Sequence, residues 1–185
     1  MNGKAFAMLV AMLLAGATSS RAVTLPDACG NDQGKFAVKT QHGHSAVPDP
    51  APGQAQIVFI EKMNREGMGF CIACDVTTRV GVDGSWAGAN KGDSYFTYTV
   101  TPGEHHLCVN WQSDLRGLAS KADALAFTAE AGKTYYFETS VLMKSEDAGQ
   151  HQSYIEDRLH LKQLDTDEGQ YLAKISALSR WQAKK

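Results

Sequence analysis

Apolar and polar residues along this chain fall into short alternating runs separated by turn-forming residues, the period of half-buried β-strands. QIVFIEKM (56–63) is apolar on both faces, as a central strand requires. In TTRVGVDGSWAGA (77–89), Thr78, Val80 and Val82 share one side, and Asp83-Gly84 is a two-residue hairpin signal. NKGD (90–93) marks a further turn, after which Phe96, Tyr98 and Val100 lie on one face of SYFTYTV. YTVTPGEHHLCVNW (98–111) then reads as a hairpin about Pro102-Gly103, with Leu107, Val109 and Trp111 continuing the apolar face. His105 falls at the edge of that face, and His106 falls beside Cys108.

QSDLRGLASKAD (112–123) is a polar loop with room for a helical turn. Leu125, Phe127 and Ala129 alternate up to the turn Glu130 to Lys133, and Tyr135, Phe137, Thr139 and Val141 come after it. The turns in VTPGEHHLCV and AEAGKTYYFE echo each other, which two hairpins of the same turn chemistry explain without a duplication. A polar loop (144–153) precedes a strand around 154–163, with Ile155, Leu159 and Leu161 inward. Only the end is helical: Asp165 or Thr166 can cap free N–H groups, Glu168 suits the first turn, and Leu172, Ile175 and Leu178 have helical spacing.

Seven or eight short strands with Gly-containing turns predict an all-β protein, an antiparallel β-sandwich with a short C-terminal α-helix. KFAVKT (35–40) alternates and suits a short strand, whereas QHGHSAVPDPAPG (41–53) has the composition of an extended linker. The expected organisation is 1–22 signal peptide, 23–54 extended segment and linker, 55–164 sandwich domain, and 165–185 helix and tail.

The signal peptide rests on Lys4, the apolar run AFAMLVAMLLAGA (5–17) and the small residues of Ser20-Arg21-Ala22, with cleavage expected after Ala22. The run is too short to span a bilayer with those flanks, so no transmembrane segment is expected in the mature chain. Cys29 lies too far beyond it to serve as a lipid-anchoring cysteine. Cleavage leaves 16 Lys and Arg against 20 Asp and Glu, a formal charge of −4. A mildly acidic domain without a Lys/Arg cluster is not built for nucleic acid. The expected location is periplasmic or secreted. There, Cys29, Cys71, Cys74 and Cys108 are disulfide candidates with three pairings. Closing Cys29 to Cys108 would tether the N-terminal segment across the sheet and leave Cys71 and Cys74 as a small loop, but the crossed pairings stay open.

The same residues carry the competing chemistry. Cys71-Ile72-Ala73-Cys74 has the spacing of a redox dithiol, yet it precedes a strand without the βαβ surroundings of a thioredoxin-like site. Cys71, Cys74, His106 and Cys108 are ligand types that zinc uses, although H-x-C is not a standard zinc half-site. His42 and His44 belong to the linker. His105, His106 and His160 can be combined with Ser and Asp residues on paper, but no nucleophile elbow, HExxH or phosphate loop accompanies them. The expectation is therefore no catalytic residue, no cofactor and no resident metal. Asp165, Asp167 and Glu168 are explained by a helix start. Trp86, Trp111, Tyr95, Tyr98, Tyr135 and Tyr136 either fill the core or line a carbohydrate or peptide groove.

GQAQIVFIE (53–61), TTRVGVDGSWAGANKGDSYFTYTVTPGEHHLCVNW (77–111) and FTAEAGKTYYFETSV (127–141) together resemble the exported bacterial family catalogued as domain of unknown function 2846. The resemblance covers roughly residues 53–143, and a more distant one is to small β-domains of the PEGA type. It implies an Ig-like or PEGA-like β-sandwich in a periplasmic, secreted or lipoprotein setting, with no activity and no catalytic residue to carry over. The expected function is a non-enzymatic binding or envelope-associated module whose partner is an unknown protein or glycan of the cell envelope. The alternative is a thiol-redox or metal-binding envelope protein using the CxxC pair and the HHxC strand.

Overall fold

The computed structural model describes residues 24–31, 34–43, 46–62, 76–114, 116–147 and 153–184. The expected signal peptide and the CxxC pair lie outside them. The strands are β1 (Phe36–Gln41), β2 (Ala55–Lys62), β3 (Thr77–Val82), β4 (Ser85–Lys91), β5 (Ser94–Val100), β6 (Gly103–Gln112), β7 (Ala122–Ala129), β8 (Thr134–Asp147), β9 (Ser153–Leu164) and β10 (Ala177–Ala183). A single turn, α1 (Arg116–Ala119), sits between β6 and β7, and α2 (Thr166–Ile175) sits between β9 and β10. A six-stranded sheet in the order β1-β10-β5-β2-β8-β9 faces a four-stranded sheet in the order β4-β3-β6-β7.

β2 is the centre of this arrangement. Ile57 and Phe59 face the four-stranded sheet and pack with Val80, Leu107, Val109, Trp111 and Phe137. Val58 and Ile60 face the other way, into a second core with Tyr136, Leu164 and Ala173 of α2. All four are fully buried, and each such side chain contributes about 1.5–3 kcal/mol on leaving water. The run that is apolar on both faces thus has a layer on each side.

Several expectations are corrected. Among the described residues the strands number ten, where periodicity gave seven or eight. The six-stranded sheet is mixed, not antiparallel throughout: β2 pairs parallel with β8, and β10 pairs parallel with β5. A parallel pair cannot be joined by a tight turn, and β2 and β8 are separated in sequence by the entire four-stranded sheet. The segment 165–185 does hold the helix, but it then continues into β10, which pairs antiparallel with β1 from the expected extended segment. The Asp165 side chain makes no capping hydrogen bond; its carbonyl accepts from Gly169 N–H at 2.9 Å.

The predicted hairpins divide. Asp83-Gly84 is one, joining β3 to β4 with φ of 51° and 81°, the paired left-handed conformation that a two-residue hairpin turn needs. The Pro102-Gly103 turn is not. β5 pairs with β2 and β10, while β6 pairs with β3 and β7, so this turn carries the chain from one sheet to the other. The turns at 90–93 and 130–133 also cross between sheets. Alternation had the buried faces of β5 and β6 correctly, because Phe96, Val100, Leu107, Val109 and Trp111 all lie in one core. They meet across the sandwich instead of side by side.

The N-terminal segment crosses the outer face of the four-stranded sheet. Cys29 is disulfide-bonded to Cys108, with Cα atoms 5.1 Å apart, and Gly84 N–H donates to Ala28 C=O at 3.1 Å. Gly81, the cross-strand partner of Cys108, makes this approach possible. A Cβ there would stand 2.7 Å from the Ala28 carbonyl oxygen and 2.9 Å from Cys29 Cα. Both neighbours are backbone on a segment fixed by the disulfide, so they cannot step aside. We predict that Gly81→Ala lowers the unfolding free energy by about 1–3 kcal/mol. Urea titration of the oxidised protein reads this, and an unchanged midpoint would show that the segment does not bear on the sheet.

Candidate functional site

The two adjacent histidines of β6 have separate fates. His105 is buried, and its Nδ1 and Nε2 lie 2.7 Å from Asp83 Oδ2 and 2.7 Å from the Thr101 carbonyl. Both partners are acceptors, so both bonds are complete only when the ring carries both protons. Burial pulls the His105 pKa down, but the hydrogen bonds to Asp83 and Thr101 and the Asp83 charge outweigh it, and the net shift is upward. Burial likewise pushes Asp83 up, and the His106 amide and the His105 ring more than reverse it. The arrangement fastens the β5–β6 turn to the tip of the β3–β4 hairpin. With neither ring nitrogen left for a substrate, His105 is a fastening. His106 uses its backbone N–H, which donates to Asp83 Oδ1 at 2.8 Å, while its ring is exposed near Glu104.

Cys108 is fully buried and bonded to Cys29. In this oxidised form it has no thiolate to offer a metal set with His106, Cys71 and Cys74; the last two lie outside the described residues, as does His44. On the same outer face, Arg79 donates through Nε to Asn110 Oδ1 at 3.0 Å and through a terminal nitrogen to Gly34 C=O at 2.5 Å. Its guanidinium also stacks over Trp86, 4.4 Å from the ring centroid, and Trp86 Nε1 donates to Asn31 C=O at 2.7 Å. Arg79 and Trp86 thus hold the N-terminal segment down. The candidate aromatic platform dissolves in the same way: Trp111, Tyr95 and Tyr136 are buried, and Tyr98 and Tyr135 pack against the core.

Inside the sandwich, apolar packing gives way to a polar group at one end. Glu61 accepts from the Thr78 hydroxyl at 2.8 Å, and its second oxygen has no hydrogen-bond partner among the described residues. Burial, opposed by the Thr78 bond and reinforced by the Asp93 charge, raises its pKa to about 8. The carboxyl is therefore neutral at pH 7. Nothing in the alternating pattern marks it, since Glu61 sits where a strand end would expose it.

Among the described residues, two of the surface clefts are well defined. One, of about 690 Å3, lies where residues 46–49, the start of β8 and α2 converge, and it is lined by Val47, Pro48, Tyr136, Gln170, Ala173 and Lys174 among others. The other, of about 490 Å3, lies along the side where β7 meets β9, with Ser120, Lys121, Asp123, Arg158 and His160 on its walls. Among the described residues no group of three or more His, Cys, Asp and Glu side chains forms a metal cage, and no helix is long and apolar enough to cross a membrane.

The Glu61 carboxyl generates a pH prediction. In the unfolded chain it titrates near 4.5, and in the fold near 8, so its contribution is complete below the lower value and is lost as pH rises through the upper one. We predict that stability falls between pH 5 and pH 8 and that Glu61→Gln flattens the fall by roughly 2–4 kcal/mol. Denaturant unfolding at both pH values checks it, and an equal fall in wild type and variant would place the titration elsewhere. Comparison of the chain with protein-family models, with curated proteins and with solved structures returned no match.

Proposed function

We propose that this chain is an exported β-sandwich module of Ig-like or PEGA-like kind, akin to domain of unknown function 2846, which binds a protein or glycan of the cell envelope. The observation that carries this reading is the cleft of about 690 Å3 beside α2. Three separate stretches of chain build it, and the floor they make is apolar, from Val47, Pro48, Tyr136 and Ala173, with Lys133, Gln170 and Lys174 as polar groups around it. A concave, mixed apolar and polar surface of this size fits a small ligand or the anchoring group of a larger one. The floor is continuous with the second core, which contains Tyr136 and Ala173 and against which Val47 packs.

The Cys29–Cys108 bond supports binding over the metal alternative, since it occupies a sulfur that a ligand set of Cys71, Cys74, His106 and Cys108 would need.

The test is an amide-shift titration of the disulfide-bonded protein with soluble peptidoglycan fragments and with extended synthetic peptides at about 1 mM, a concentration that detects weak binders. We expect one of these probes to shift Val47, Tyr136 and Gln170 saturably. Lys174→Trp, which fills the cleft from an exposed position on α2, should weaken that response at least about tenfold, or 1.4 kcal/mol, without moving the unfolding midpoint. Shifts that ignore this surface, or two titratable thiols with stoichiometric zinc in the purified protein, would overturn the reading.

A further inference from the structure

Glu61 Oε2, Asn90 Oδ1 and Trp111 Nε1 are buried polar atoms without a hydrogen-bond partner among the described residues, and their side chains belong to one place inside the sandwich. The strand registers bring them there. Thr78 of β3 lies between Asn90 of β4 and Trp111 of β6, and side chains directly opposed on one face stand about 4.5–5.5 Å apart at Cβ. Glu61 follows Phe59 on the face of β2 that looks at this row, and it reaches across to accept from the Thr78 hydroxyl at 2.8 Å. Asn90 reaches the other way, donating from Nδ2 to the Phe59 carbonyl at 3.1 Å. All four side chains are at most 2 % exposed.

Polar groups this deeply buried are costly to leave unpaired. The neighbouring Ser94, beside Glu61 on β5, is already committed: it accepts from Lys91 N–H at 3.1 Å and pairs with the Ser179 hydroxyl at 2.7 Å. The chemistry of the three atoms selects what can meet them. The bond from Asn90 Nδ2 to a carbonyl fixes the amide orientation, so the atom left over is Oδ1, an acceptor only. Trp111 Nε1–H is a donor only. With Oε1 of Glu61 accepting from Thr78, the neutral carboxyl donates through Oε2. A cation cannot face the indole N–H, and an anion cannot face the amide oxygen. Water both donates and accepts.

We propose that this row is the binding site of an internal water, held as a fixed part of the fold. The water accepts from Trp111 Nε1–H and from Glu61 Oε2–H and donates to Asn90 Oδ1. Three such bonds are the usual complement of a buried water. Were Glu61 ionised, the water would turn its second proton toward Oε2, so the site serves either protonation state. The water joins β2 of the larger sheet to β4 and β6 of the smaller one. The proposal is independent of the α2 cleft and stands if that surface proves empty.

The test uses the full disulfide-bonded protein in solution. The Trp111 indole N–H should show cross-relaxation with water that has the sign of a long-lived bound molecule and not that of proton exchange. Magnetic relaxation dispersion of the water oxygen counts such molecules. Glu61→Met, which replaces the carboxyl by an apolar chain of similar length, should lower that count by one and abolish the indole cross-peak. Glu61→Gln, whose amide can donate as the carboxyl does, should keep both. A wild-type indole N–H without cross-relaxation to water overturns the proposal, and so does a count that Glu61→Met leaves unchanged. Should Glu61→Met fail to fold, the wild-type measurement decides alone.

Discussion

The burial of β2 on both faces is the constraint from which the architecture derives. A strand with Ile57 and Phe59 on one side and Val58 and Ile60 on the other cannot sit at an edge or face water. It has β5 and β8 as lateral neighbours, the four-stranded sheet below, and α2 with residue Val47 above. The helix is thus a third layer over the middle of the larger sheet. The α2 cleft lies where this helix meets residues 46–49 and the start of β8.

A second constraint is that the two sheets must be held in register where turns cross between them. Polar side chains do this at the margins. His105 and Asp83 secure one sheet-crossing turn to a hairpin tip. The Gln112 amide exchanges hydrogen bonds with both backbone groups of Phe36, its donor bond to the Phe36 carbonyl being 3.0 Å. Asp123 holds the edge of β9. The Phe36 and Leu161 fastenings satisfy backbone groups of the edge strands β1 and β9, and so they also blunt those edges. Where the fastening uses both ring nitrogens, as at His105, none is left for a ligand.

These distinctions mark what the sequence made legible. Period-two alternation identifies which side of a strand is buried, and it did so for β2, β3, β5, β6 and β7. It carries no information on which strand lies alongside, because neighbours across a sheet and neighbours across a core present the same face. Hence the Pro102-Gly103 turn read as a hairpin. β10 escaped because only Ala177 and Ser179 of its residues are buried, too few to make a pattern. The His105 position at the edge of the apolar face was readable from spacing. The pairing of Asp123 with His160 was not, since the two lie on strands of different sheets and meet only where the sandwich closes.

The pairing of β1 with β10 brings opposite ends of the described chain together, with Phe36 opposite Ala183. That edge of the larger sheet cannot form until β10 has been synthesised, and such long-range closure is slow. The Cys29–Cys108 bond spans 79 residues and needs nothing beyond β6. Once oxidised, it fixes Cys29 beside the four-stranded sheet, seven residues before β1 begins at Phe36. β10 then finds its partner already tethered, and the disulfide becomes a participant in the order of assembly.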